Sequence, residues 1–190
     1  MAPKGEGTRV VEASVESSAS AVEWGAITAG ALAAVGVSII LTTFGPGMGL
    51  ATLSAWYLSG PPPATFGIAA GIWLIVMQWL ASGLGGYFAG RLRKKWVGIR
   101  TGEVVFRDIA HGFLAWALAT LIIMTLLAIG SAIAGSPSIG IQQAGAVSPE
   151  ALEQARKAAV ALSFYTSLSL LIGAFIGSIS GLFGGYHRDD

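Results

Sequence analysis

The 190-residue chain contains no cysteine, which excludes disulfides, thiolate metal sites and a cysteine nucleophile together. It is also poor in charge. Asp, Glu, Lys and Arg make up 11% of the residues, against about 25% in an ordinary soluble domain. No phosphate-binding loop, nucleophile–base pair or pair of glycosidase-type carboxylates presents itself. The net charge is +1, and the short run RLRKK at 91–95 is a weak signal for nucleic acid, which is not an expected partner. Residues 1–20, MAPKGEGTRVVEASVESSAS, lack the apolar core of a signal peptide. Glu6, Glu12 and Glu16 also disfavour a transit peptide, so this stretch reads as a polar, disordered tail.

Apolar and small residues are plentiful instead. Hydrophobic residues make up 54% of the chain and glycines number 27, with a mean hydropathy of +0.70. A helix needs about 20 apolar residues to cross a bilayer. Four segments meet that requirement, at about 21–44, 66–90, 109–134 and 158–186. The sequence therefore predicts an all-α fold, a transmembrane four-helix domain over residues 21–187. Placing both termini in the cytoplasm leaves only Arg156 and Lys157 outside, of 11 Lys and Arg residues. That asymmetry obeys the positive-inside rule, and with the composition it predicts a multi-pass membrane protein with both termini in the cytoplasm. Arg91, Arg93, Lys94 and Lys95 anchor this orientation and are candidates for binding anionic lipid headgroups.

The outer connections carry stop and start signals. GPGMG at 45–49 is expected to end the first span, and GPPP at 60–63 precedes the second. Between them Trp56 and Tyr57 suit the membrane–water interface. Ser148-Pro149-Glu150 reads as an N-cap, a proline at the first helical position and an acid in the first turn. A helix from there to Tyr186 is about 56 Å long at 1.5 Å per residue, so its first turns are expected to project from the membrane or bend at its surface.

Glycine recurs at helical spacing in the last span, GAFIGSISGLFGGY, as Gly173, Gly177, Gly181 and Gly185. In water this spacing would only weaken a helix. In lipid, apolar side chains gain little by leaving their solvent, and close backbone packing becomes the main adhesive. The second span carries a similar row in Ser82, Gly86 and Gly90. These faces are helix-packing surfaces, turned either to the chain's own helices or to another chain.

The second span closes on GLGGYFAGR (83–91) and the fourth on GLFGGYHR (181–188), which points to two related helical hairpins. With Trp24-Gly25 opening the first span and His111-Gly112 the third, the chain resembles small four-span bacterial inner-membrane proteins. The closer likeness, through RD-x-x-HGF at 107–113, is to alphaproteobacterial members sometimes labelled PhnA-like. It spans most of residues 20–187 and implies fold and location. No activity comes with it, and no residue here supports the phosphonate metabolism that label suggests.

Ionisable groups deep in a bilayer usually mark function, and none falls near the middle of a span. Gln78 is the strongly polar residue at mid-depth, expected to make an interhelical hydrogen bond or to line a pore. The main polar cluster lies at the cytoplasmic ends. Asp108 and His111 share a helix face, beside Arg107, and Glu23 and His187 belong at a similar depth. They read as an ion-paired collar, with a titrating latch or proton entrance as the functional alternative. Their spacing is no recognised metal signature, and no cofactor is expected. The leading expectation is a non-enzymatic accessory or scaffold subunit whose partners are the bilayer and other membrane chains or its own copies. A small channel or transporter entered through the collar is the alternative.

Overall fold

A computed structural model describes residues 22–51, 63–94, 101–133 and 148–189. The tail, the interfacial Trp56 and Tyr57, and Lys95 lie outside the described residues. Four helices follow one another: α1 (Trp24–Ala51), α2 (Pro63–Arg91), α3 (Thr101–Ile133) and α4 (Pro149–Asp189). All four are long and apolar enough to cross a membrane. The chain is an all-α, multi-pass integral membrane protein.

Local chemistry explains most helix ends. Proline is the first residue of both α2 and α4, where its missing N–H costs nothing. Ser148 precedes α4, its carbonyl accepting from the Leu152 amide at 3.1 Å. The Glu150 carboxyl is held below its ordinary range by a backbone amide and the Ser148 side chain. α3 begins at Thr101, earlier than the apolar run alone indicated. Glu103 in its first turn pairs with Arg107 at 2.7 Å, an i,i+4 bridge that supports the additional helix.

The GPGMG stretch does not end α1, which continues to Ala51. Proline removes one ladder bond, a defect that membrane helices tolerate when neighbours fill the gap. Trp73 of α2 packs against this stretch. Its indole lies in the space a side chain at Gly45 would need, and it donates to the Leu41 carbonyl at 3.3 Å. Several hydroxyls within the spans return to their own helices, as Thr42 does to Ser38 at 2.6 Å and Ser178 to Ala174 at 2.8 Å. That leaves no bare donor facing lipid from these side chains.

The four helices form a rhombus in cross-section. α2 and α3 touch across its short diagonal, while α1 and α4 occupy opposite corners without meeting. The two hairpins are therefore not equivalent, since a two-fold axis would turn the α2–α3 contact into an α4–α1 contact. Burial is concentrated toward the end of the bundle where α1 begins and α4 finishes. Ala26, Ile27, Ala31 and Ala34 of α1 are buried there, with Ala81 and Ala89 of α2 and Ala115 and Ala119 of α3. Farther along, α3 beyond Leu121 and α4 before Phe164 expose their large apolar side chains.

The packed half is built on close backbone contacts. A Cβ at Gly86 would overlap the Gly177 carbonyl and lie 2.9 Å from its Cα. One at Gly90 would overlap the Gly181 carbonyl and lie 3.0 Å from the Gly185 nitrogen. Gly112 of α3 meets α4 likewise, 2.9 Å from the Gly181 Cα, and Gly85 of α2 meets Gly30 of α1. Backbone atoms cannot yield as a side-chain tip can. Gly86→Ala and Gly181→Ala should each cost about 1–3 kcal/mol through overpacking. Gly25→Ala and Gly130→Ala meet nothing within 4 Å, and should be neutral or stabilising by up to about 1 kcal/mol. Unfolding titrations in mixed detergent micelles measure both sets.

Candidate functional site

The charged interior lies at the packed end of the bundle. Asp108, in the third turn of α3, is 3% exposed and its neighbours are two arginines from other segments. Arg93, just past the end of α2, donates through Nε to Asp108 Oδ1 at 2.8 Å. Arg188, in the last turn of α4, places Nη1 at 3.1 Å from Oδ1 and Nη2 at 3.4 Å from Oδ2. The same Nη1 donates to the Gly90 carbonyl at 3.2 Å. One carboxylate thus ties α3 to the ends of α2 and α4.

Glycine makes room for it. Gly185 of α4 lies directly against the Asp108 carboxylate, where a Cβ would overlap that group. Gly181, one turn earlier, lies against the Asp108 carbonyl. A side chain at either position would push α3 away and open the ion pairs.

His111, one turn along α3, is 2% exposed and joins α1 to the cluster. Its Nδ1 lies 2.7 Å from the Arg107 carbonyl, the i−4 acceptor, so this nitrogen carries the proton. Nε2 is then an acceptor, and it takes the Glu23 backbone N–H at 2.9 Å. Glu23 caps α1, its carbonyl accepting from the amides of Ala26 and Ile27. A neighbouring helix thus satisfies an amide at the start of α1 that its own ladder cannot reach. The Glu23 carboxylate reaches the Lys94 backbone N–H at 2.7 Å. Glu23 and His111 lock α1 to α3 and to the chain leaving α2.

The residues singled out from sequence fall into three groups. Glu23, Asp108 and His111 converge. Arg107 turns its guanidinium to Glu103 and gives its carbonyl to His111. His187 is exposed outside the cluster, its ring 6.0 Å edge-on from Tyr87. Arg93, grouped by sequence with the headgroup cations, is 3% exposed and turned inward to Asp108, while Arg91 and Lys94 are exposed. Asp108 at the cytoplasmic entrance of the third span was the available signal, because a carboxylate buried there demands a cation nearby. The sequence did not show which of several arginines would supply it.

Gln78 does not make the expected interhelical bond. Its amide donates to Ser82 Oγ one turn along α2 at 3.3 Å. The side chain fills the space beside Gly173, next to the Trp116 indole, so it is packed between helices. The polar bridge between α2 and α4 is supplied by Ser169, which donates to the Leu74 carbonyl at 3.1 Å. Ser82 and the ridge glycines lie in the α2–α4 and α3–α4 contacts. Among the described residues no group of three or more His, Asp or Glu is arranged to hold a metal ion.

Removing one member of a buried ion pair strands the charge of the other. Asp108→Asn, which strands the buried Arg93 and the part-buried Arg188, should lower stability by about 3–5 kcal/mol. Replacing Arg93, Asp108 and Arg188 together by Met, Leu and Met should recover most of that loss. His111→Ala, which uncaps α1, should cost about 0.5–2 kcal/mol. Thermal unfolding of purified variants in one detergent ranks the three.

No protein-family model, curated protein or solved structure matches the chain.

Proposed function

We propose that this chain is a non-enzymatic subunit of a bacterial inner-membrane assembly, beside other membrane proteins or copies of itself, with both termini in the cytoplasm. The observation that carries this reading is the distribution of polarity inside the bundle. Among the described residues the buried charged and histidine side chains are Arg93, Asp108 and His111, all at one end and all engaged with one another's helices. Above them the buried residues are glycine, alanine and short aliphatics with Ser82 and Ser169, and Gln78 and Trp116 pack part-buried between the helices. Such an interior supplies rigidity. Among the described residues no charged side chain is buried in its middle.

In this reading the glycine-rich faces build the subunit itself, and neighbours use what remains. The outer halves of α3 and α4 present Leu121, Leu127, Val160 and Phe164, each more than half exposed. α4 extends about 60 Å at 1.5 Å per residue, twice the roughly 30 Å hydrocarbon core. Its first turns, with Glu153 paired to Arg156 and Lys157, then stand outside the bilayer as a handle for a partner. The resemblance of residues 20–187 to four-span inner-membrane proteins supports the location.

A second reading, a small channel or transporter, has the buried Asp108 and His111 in its favour, since ionisable groups within membrane spans often mark ion or proton routes. Pull-down of the tagged chain from native membranes tests the first reading, with a stoichiometric partner or a defined homo-oligomer as the expected result. A monomer that brings down nothing contradicts it. Ion flux into proteoliposomes tests the second: flux unaffected by both Gln78→Leu and His111→Ala removes the proposed route.

A further inference from the structure

The rhombic arrangement leaves a valley on one side of the bundle. α1 and α4 both pack on α2 but never meet, so the face of α2 turned away from α3 is the floor of a trough between them. The trough is a groove of about 620 Å³, within the range of about 300–1,000 Å³ common for small-molecule sites. Val37 and Leu41 of α1 form one wall and Phe183 of α4 the other, with Trp79, Gly83 and Tyr87 along the floor. Gly83 deepens it, since a Cβ there would meet only Ile176 Cγ2 at 3.6 Å and Ser180 Oγ at 3.7 Å. The groove runs along the helices, as an extended hydrocarbon chain in a bilayer does.

Its end near the ion-paired cluster is basic. Arg91 follows Tyr87 by one turn on α2, and His187 follows Phe183 by one turn on α4; both are exposed. The His187 ring is fixed in place by Nδ1, 2.9 Å from the Phe183 carbonyl, and by its edge-on contact with Tyr87. Lys94, also exposed, follows Arg91 closely. Two of the nearby carboxylates are committed, Asp108 to two arginines and Glu23 to the Lys94 amide, while Asp189 and Asp190 follow Arg188 in the sequence. An apolar channel therefore opens onto the exposed Arg91, Lys94 and His187, with Asp108 and Glu23 engaged elsewhere.

We propose that this groove binds one anionic phospholipid, an acyl chain lying between α1 and α4 and the phosphate held by Arg91 and by Nε2–H of His187 in its imidazolium form, Nδ1–H being engaged by the Phe183 carbonyl. The uncharged length of the groove selects a hydrocarbon chain, and the basic end selects a headgroup with net negative charge over a zwitterionic one. The proposal requires only that the chain spans a bilayer with this end at headgroup depth. It is independent of whether the protein serves as a subunit of anything.

Native mass spectrometry of the full chain, released from detergent after incubation with equal amounts of phosphatidylglycerol and phosphatidylcholine of identical chains, tests it. The expected result is a single retained lipid per chain, with phosphatidylglycerol favoured about tenfold or more by its basic contacts. Arg91→Gln combined with His187→Gln, both on the surface, should abolish the preference while leaving the melting curve unchanged. Gly83→Leu should reduce retention of both lipids at least several-fold by filling the floor. Equal retention of the two lipids by the unmodified chain overturns the proposal. So does a preference that survives the Arg91/His187 double substitution, or retention indifferent to Gly83→Leu. Because the isolated chain is measured, these outcomes are separate from a failure to find protein partners.

Discussion

Backbone meeting backbone is the contact on which this bundle depends. In water, glycine inside a helix is a defect, because it releases more conformational entropy on unfolding and buries nothing of its own. In a bilayer the transfer of apolar side chains between lipid and protein gains little, so adhesion rests on contact density and hydrogen bonding. Gly86 and Gly90 of α2, Gly112 of α3 and Gly177 and Gly181 of α4 bring main chains within reach of each other. That approach gains dispersion contacts along whole helix turns and permits Cα–H···O contacts worth about 0.5–1 kcal/mol each.

The close approach determines what the rest of the molecule can do. α4 is drawn against both α2 and α3, which leaves it no contact with α1. α1 is then held by its own small residues against α2, where Gly30 and Ala34 meet Gly85, and by the His111–Glu23 and Glu23–Lys94 hydrogen bonds at its start. The separation of α1 from α4 opens the lateral groove over Trp79 and Gly83. The ionic cluster depends on the same geometry. Asp108 reaches Arg93 and Arg188 only because Gly181 and Gly185 present no side chains to hold α3 at a distance. Buried ion pairs contribute little net stability but are costly to break, so in this bundle they serve to fix which helix ends meet.

Much of this was legible in the sequence, for reasons that separate into kinds. Span number and type follow from hydropathy over long windows, and a proline at the start of α4 marks its boundary. Residues 45–49 misled because glycine and proline stop helices in water, whereas Trp73 here fills the space beside Gly45. The four-residue glycine period reads as a contact surface, but periodicity belongs to one helix and says nothing about which neighbour fills it. Asp108 announced a buried cation without naming Arg93, whose local context of RLRKK reads as a headgroup anchor. The polarity of Gln78 suggested a bridge between helices, and Ser82 on its own helix satisfied it first. The repeated Gly-Gly-Tyr of α2 and α4 suggested symmetric hairpins. Gly85 packs toward α1 while Gly184 packs toward α2, so the same tripeptide has different surroundings in the two helices.

Because the chain has no native cysteine, one engineered pair measures the central contact directly. A Cβ placed at Gly83 of α2 lies 3.7 Å from Ser180 Oγ of α4, so thiols at these two positions face each other across the α2–α4 contact. Gly83→Cys with Ser180→Cys, oxidised in native membranes and resolved on a non-reducing gel, should give a bridged monomer whose intact mass has lost two hydrogens. Covalent dimers in place of that species, or two thiols still open to alkylation, would show that α4 meets α2 of another chain or does not meet it at all.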